Sequence, residues 1–207
     1  MDILNVYCVG RNYRQHAAEL GNDVPESPML FLKPSHAAVQ LKDGLLRLPG
    51  GQGEVHYETE LVLRVGSPYR EGIAPDELFS HVTVGLDLTL RTVQDGLKAK
   101  GLPWLPAKGF RNSAPLGEWL DYPGETALAE LEFGLNLNGR EVQLGNIRNM
   151  VFGLAKLVEF AGRAYGLGPG DLLFTGTPGG VGPLHDGDEL AWRLGNRTLG
   201  KAKVSMV

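Results

Sequence analysis

The stretch that decides the fold runs Val55-His56-Tyr57-Glu58-Thr59-Glu60-Leu61-Val62-Leu63-Arg64-Val65. Its apolar and β-branched run predicts a long strand. A second run, Val82-Thr83-Val84-Gly85-Leu86-Asp87-Leu88-Thr89-Leu90, predicts a central strand. Working outward, residues 4–9, 29–32, 171–174, 189–194 and 198–207 read as short strands, with Gly195-Asn196 turning between the last two. Residues 131–137 alternate, and Asn138-Gly139 offers a type I′ turn into 140–144. Ile147, Val151, Leu154, Leu157, Val158 and Ala161 follow helical spacing and predict one long helix over 147–165. Three shorter helices are expected. Asn12 caps the first, which runs to residue 20 with Gly21 past its end. Asp76 caps a single turn ending near His81, and residues 91–100 form a polar helix. Residues 42–53 and 101–116, rich in Pro and Gly, read as loops. The order is not a repeated βα alternation. The expected fold is a mixed, β-rich, mostly antiparallel α+β roll or sandwich with one long helix and several short ones, in a single domain over residues 1–207.

Composition narrows the function classes. A chain of 207 residues can bury roughly 70% of its unfolded surface, enough for one core without staples. The 29 glycines are about twice the usual share and imply many tight turns. Cys8 is the only cysteine, so no disulfide framework or cysteine zinc site is expected. The net charge of −4 argues against nucleic acid as a partner. No apolar run approaches the ~20 residues of a membrane span, and Met1-Asp2-Ile3 does not open a secretory signal. No membrane partner and a cytoplasmic location are the expectations.

The chemistry concentrates in the two central strands. Residues two apart on a strand share a face, so His56, Glu58 and Glu60 point one way and Tyr57, Leu61 and Leu63 the other. Asp87 is set in an apolar strand, where an isolated ionised carboxylate costs several kcal/mol unless paired or neutralised. One divalent cation bound by Glu58, Glu60 and Asp87 would answer both oddities. An all-oxygen set suits Mg²⁺ or Mn²⁺, with Ca²⁺ able to take the same site in a crystal. Two glutamates facing solvent on an edge strand, with Asp87 as a buried turn carboxylate, satisfy the same spacing.

His16 and Glu19 are three apart on the first predicted helix and are neighbours there. A carboxylate beside an imidazole suits a general base that activates water. A surface helix pair has the same spacing. Arg11, Lys33 and Lys108 stand in turn-rich segments, where they can bind a substrate carboxylate or simply be solvated. Gly176-Thr177-Pro178-Gly179-Gly180-Val181-Gly182 lacks the lysine of a phosphate-binding loop, though its backbone can approach a small anion.

Taken in order, these segments resemble the fumarylacetoacetate hydrolase family, in its short acylpyruvate hydrolase and oxaloacetate decarboxylase type. The resemblance rests on Gly10-Arg11-Asn12-Tyr13 with His16 and Glu19, and on Leu30-Phe31-Leu32-Lys33-Pro34. It continues through His56-x-Glu58-x-Glu60-Leu61 with Asp87, and through Arg91 and Gln94. Gly101-Leu102-Pro103-Trp104 with Lys108 and Phe110, and the segment from Asp171 to Gly182, complete it. Thr92 departs from the family's usual Asp, removing a polar link expected near the site.

The resemblance implies metal ligation by Glu58, Glu60 and Asp87, and catalysis by His16, Glu19 and Lys108. It implies substrate binding by Arg11, Tyr13, Lys33, Gln94 and Thr177, and a homodimer. The implied substrate is a small 2-oxo acid of acylpyruvate or fumarylpyruvate type, cleaved at a C–C bond through an enolate that the metal stabilises. Oxaloacetate would lose CO₂ in the same site. The competing readings are an isomerase or decarboxylase of 2-hydroxyhepta-2,4-diene-1,7-dioate type in aromatic catabolism, and a non-catalytic metal-binding scaffold. A scaffold has no use for the His16–Glu19 pair.

Overall fold

The computed structural model describes residues 2–19, 21 and 25–207. Its largest sheet has eight strands. In order these are Met29–Lys33, Val6–Gly10, Leu172–Phe174, Thr59–Val65, Phe79–Leu86, Ala114–Leu116 and Ala38–Gln40, with Leu120–Asp121 also paired to Phe79–Leu86. A five-stranded sheet runs Arg140–Gly145, Phe133–Leu137, Glu189–Leu194, Arg197–Met206 and Leu45–Leu48. A small sheet joins Gly182–Pro183, Val55–Tyr57 and Thr89–Leu90. The β-rich mixed α+β expectation holds.

Thr59–Val65 is buried along its whole length, which explains why Leu61, Val62 and Leu63 are apolar on both faces. Leu61, Leu63 and Val65 enter the main core with Leu46, Leu48, Phe133 and Trp192. Val62 faces the other way, into a smaller core with Val6, Cys8, Leu172 and Phe174. Glu60 shares that second face by strand alternation.

The 131–144 hairpin forms with its predicted turn, Asn138 and Gly139 both having positive φ, 51° and 80°. Other boundaries moved. The predicted 55–65 strand is interrupted at Glu58, and the 82–90 strand at Asp87 and Leu88. The 42–53 segment read as loop contains Leu45–Leu48, whose Leu46 and Leu48 alternate inward beside the last strand. The 101–116 segment contains the single turn Leu105–Lys108, with Pro106 where its missing N–H does no harm, and the strand Ala114–Leu116.

The predicted 147–165 helix is shorter and runs Leu154–Ala164, preceded by one 3₁₀ turn at Ile147–Asn149. The reason is Asn12. Val151 N donates to Asn12 O at 2.7 Å and Phe152 N to Asn12 Oδ1 at 2.8 Å, so these amides are lost to the helix ladder. Asn12 Nδ2 donates to Thr175 O at 2.8 Å and to Phe152 O at 3.2 Å. Asn12 therefore does not cap the first helix, Arg14–Glu19. It pins that helix's base to two other segments. The predicted continuation to residue 20, and residues 22–24 of the 21–28 turn, lie outside the described residues. Among the described residues no helix is long and apolar enough to cross a membrane.

Asn12→Ala removes a fully buried three-way tie and strands polar partners. We expect it to destabilise the fold by about 2–4 kcal/mol in urea titrations. A loss under about 1 kcal/mol would show that Asn12 does not bind these segments together.

Candidate metal centre and active site

Glu58, Glu60 and Asp87 are all buried, and one oxygen from each lies within 4.8 Å of the others. The strand interruptions bring them together. Asp87 N donates to Glu58 O at 2.8 Å, which keeps the two chains paired through the break. Glu58 then stands between two sheets, and Glu60 projects from the start of Thr59–Val65.

Three cationic side chains surround the cluster. Lys108 Nζ lies 2.9 Å from Glu58 Oε2 and 2.6 Å from Asp87 Oδ2. Lys33 Nζ lies 2.7 Å from Asp87 Oδ1. Arg91 pairs with Glu58 Oε1 and donates to Gln94 Oε1 at 2.7 Å. Thr89 Oγ1 donates to Glu58 Oε1 at 3.1 Å. Glu60 Oε2 accepts from Gly176 N at 2.7 Å, and among the described residues no cationic side chain pairs with Glu60.

The electrostatics follow from these partners. Burial opposes ionisation of Glu58, but Lys108, Arg91 and His16 outweigh it and hold its carboxyl well below the usual range. Burial, then Asp87, push the Glu60 carboxyl well above that range, against the Gly176 amide. Burial would lower the Lys108 ammonium, but Asp87 and Glu58 raise it. Lys108 is therefore a fixed cation. The cluster keeps one carboxylate, Glu60, without a cation, in an all-oxygen donor set. That arrangement fits a hard divalent ion.

The cavity above the cluster is lined by Arg11, His16, Met29, Phe31, Arg91, Gln94, Lys98, Trp104, Lys108 and Thr177, besides the three carboxylates. Burial lowers the His16 pKa below its ordinary value, with Glu58 acting in the opposite direction. The ring is thus neutral at pH 7, as a base must be. His16 Nδ1 stands 3.9 Å from Glu19 Oε2, too far for a hydrogen bond. Glu19 instead accepts from Gly180 N at 3.1 and 3.2 Å, tying the first helix to the glycine-rich loop.

Arg11, Gln94, Thr177 and Lys108 line the cavity. Lys33 does not. Its ammonium is buried beneath the cluster, donating to Leu88 O at 3.1 Å, Ser113 O at 3.0 Å and Lys108 O. Tyr13 is also absent from the lining; it is buried and packs edge-on against Phe133. Neither lies on the lining, where a substrate contact was expected. His56 lies outside the lining, next to Glu54. Thr92 is exposed beside the 51–53 loop, so its departure from the family's Asp does not alter the lining.

Sequence reading missed Gln143 and Lys98. Gln143 Oε1 accepts from Thr59 N at 2.8 Å, and its Nε2 donates to Thr177 Oγ1 at 2.9 Å and Pro178 O at 3.0 Å. It fixes the acidic strand and the glycine-rich loop relative to each other. Apolar Val142 and Leu144 flank it, so simple alternation places Gln143 outward and the sequence offered no usable signal.

The molecule is thus a β-rich protein with a buried all-oxygen acidic cluster under a cavity that holds a neutral histidine. The sequence model described as "Fumarylacetoacetate (FAA) hydrolase C-terminal" matches residues 5–206. The chain belongs to the fumarylacetoacetate hydrolase family, a family of enzymes. It is 38% identical over 202 residues to the oxaloacetate tautomerase YcgM of Escherichia coli, covering 95% of this chain and 91% of that protein. It is 35% identical over 184 residues to a mitochondrial oxaloacetate decarboxylase of Dictyostelium discoideum, covering 88% of this chain and 84% of the other. Its fold matches a fumarylpyruvate hydrolase from Pseudomonas aeruginosa, solved with Mn²⁺ and pyruvate, with TM-score 0.88 and 34% identity. That match covers 99% of this chain and 91% of the other.

The lowered His16 pKa has a consequence for stability. Below about pH 6.5 the unfolded chain takes up this proton before the folded one, so stability falls as pH drops. The raised Glu60 acts with the opposite sign. Comparing wild type with His16→Gln in EDTA isolates the histidine. We expect the variant's stability to fall less steeply between pH 7 and 5, by at most about 1.4 kcal/mol per pH unit. Parallel slopes in urea titrations would mean that His16 is not buried neutral.

Proposed function

We propose that this chain is a divalent-metal-dependent enzyme that acts on small 2-oxo acids, cleaving the C–C bond of 2,4-dioxo acids and decarboxylating oxaloacetate. The observation that carries the reading is the convergence of three buried carboxylates and a buried histidine on one cavity. Glu58, Glu60 and Asp87 would hold the ion. Bound there, Mg²⁺ or Mn²⁺ supplies Lewis-acid stabilisation for negative charge developing on the substrate's oxygens.

The remaining steps belong to the chain's own side chains. Lys108 and Arg91 hold Glu58 and Asp87 in place by charge-assisted hydrogen bonds. Thr177 Oγ1 already accepts from Gln143, which leaves its O–H free to donate to a substrate oxygen. His16 takes a proton on its imidazole from the attacking water in hydrolysis. Glu19 fixes the helix that carries His16, through Gly180. Decarboxylation needs no attacking water, so the same cavity serves it with less demand on His16.

A second reading is favoured by the 38% identical relative named as an oxaloacetate tautomerase. Interconverting keto and enol forms takes a proton from C3 and returns one to the C2 oxygen, a transfer that His16 can carry on its imidazole. Enol consumption, followed by absorbance, separates this reaction from cleavage of acetylpyruvate.

Two tests follow. Glu58→Gln, Glu60→Gln and Asp87→Asn should each abolish tight Mg²⁺ binding by calorimetry while circular dichroism stays native. Near-normal affinity in two of the three would overturn the ligand assignment. His16→Ala should lower acetylpyruvate hydrolysis by roughly 10²–10⁴-fold and oxaloacetate decarboxylation much less. Equal losses at unchanged metal affinity would make His16 a positioning residue.

A further inference from the structure

One buried cation of the fold has no counter-charge. Arg64 lies near the end of Thr59–Val65 and is 7% exposed. Among the described residues its guanidinium has no carboxylate within 4.0 Å, and its hydrogen bond goes to a backbone carbonyl, Asp2 O, at 3.1 Å. Asp171, beside the Leu172 that pairs with Arg64, spends its oxygens on Asn5 N, Asn5 Nδ2 and Gly168 N. A buried charge left uncompensated is costly.

The neighbouring strand adds to the oddity. His81 stands directly opposite Arg64 where Phe79–Leu86 pairs with Thr59–Val65, so both side chains leave the sheet on one face. The register slips between Arg64 and Val65, and Ser80 is the extra residue. Such a bulge re-aims the side chains around it. Here Ser80 and His81, adjacent in the chain, both reach a cavity of about 420 Å³ that Arg64, Asp2, Leu4 and Gly170 also line. Ser80 Oγ lies 2.9 Å from His81 Nδ1 and holds the ring in place. Among the described residues Nε2 has no hydrogen-bond partner; Asp121 Oδ1, on a fully exposed side chain, is 3.9 Å away. A guanidinium and an imidazole nitrogen are thus both open to one cavity. It shares no lining residue with the cavity above the acidic cluster. Glu60 lies four residues from Arg64 on the same strand, roughly 13 Å away.

An oxyanion in this second cavity would answer both features. We propose that Arg64 and His81 bind a phosphate group there, at a site that does not depend on the 2-oxo acid reading. The guanidinium fork takes two oxygens of a phosphate or a carboxylate alike. A carboxylate then has no oxygen left, whereas a phosphate keeps one for the imidazole on the next strand. Free phosphate and a phosphate monoester offer the same group.

The test is thermal unfolding of the full chain with Mg²⁺ as inorganic phosphate is raised, against sodium chloride of equal ionic strength. We expect a saturable rise in melting temperature, half-complete at roughly millimolar phosphate and reaching about 3–6 °C at about twentyfold that concentration. Arg64→Met should lose the rise, and Arg64→Lys should keep part of it. His81 is partly exposed, so His81→Gln should fold, and its half-saturating concentration should increase roughly three- to tenfold. Glycerol 3-phosphate distinguishes the sources. A lower half-saturating concentration than that of phosphate supports the site with an ester as its ligand, and a higher one supports it with the free ion. An unchanged curve in Arg64→Met overturns the site, as does the absence of any rise in wild type. Should Arg64→Met not fold, unchanged curves in both Arg64→Lys and His81→Gln overturn it. An equal saturable rise with acetate overturns the phosphate assignment.

Discussion

Three carboxylates taken out of water side by side repel one another, and no local rearrangement of the strands removes that repulsion. Every nearby feature of this fold answers it. Lys108 bridges Glu58 and Asp87, Arg91 closes on Glu58, and Gly176 N–H reaches Glu60. The cations are themselves ordered. Lys33 takes the carbonyl of Lys108, and Ser113 Oγ takes it too at 2.7 Å. The buried lysine beneath the cluster therefore fixes the turn that presents the lysine above it. Removing either cation would leave an uncompensated buried charge, which is far more costly than losing a surface pair.

The backbone pattern serves the same constraint. An uninterrupted pair of strands would carry Glu58 and Asp87 in register but within the plane of one sheet. The break at Glu58 and at Asp87–Leu88 passes both chains from the large sheet into the small one, with Leu88 N anchored on Ser113 O at 2.9 Å. The carboxylates sit at that junction. Asn12 and Gln143 hold the rest of the cavity wall to it. One ties the first helix to the 175 segment, and the other ties the acidic strand to Thr177. Neither touches the cluster through a charged group, yet both set where its neighbours stand.

Much of this was legible in the residues themselves. The apolar run of 61–63, the Asn138-Gly139 hairpin and the oddity of Asp87 in an apolar strand are local properties, and each has a local physical cause. What failed to read locally was non-local. The helix over 147–165 had the right spacing, but Asn12, far away in sequence, takes the amides of residues 151 and 152. The same interaction removed Asn12 from its expected capping role. Leu45–Leu48 showed alternation, and the neighbouring Pro49-Gly50-Gly51 masked it. Gln143 was hidden by a register shift between Leu135 and Asn136, which turns Gln143 inward and leaves Leu144 exposed. Lys33 and Tyr13 lie in family motifs near the site. Motif membership says that a residue matters, and burial decides whether it faces substrate or supports what does.

On the proposed reading, a single cavity can hold proteins of different named activities because their reactions share one electronic demand. Hydrolysis of a 2,4-dioxo acid, decarboxylation of oxaloacetate and its tautomerisation all place negative charge on the same carbonyl oxygen. A preorganised acidic cluster with its ion meets that demand in each case, and such preorganisation is usually the largest catalytic contribution. The reactions diverge in what reaches C3 or C4: a water, nothing, or a proton. That choice belongs to groups outside the cluster. His16 decides whether water is activated, and its helix is held by Glu19 on Gly180 rather than by the cluster. Arg11 and Lys98 lie on the same lining, away from the carboxylates. The arrangement separates a fixed electrostatic centre, deep in the sheets, from a periphery of helix and loop in which substitutions can alter the reaction without disturbing the buried charges.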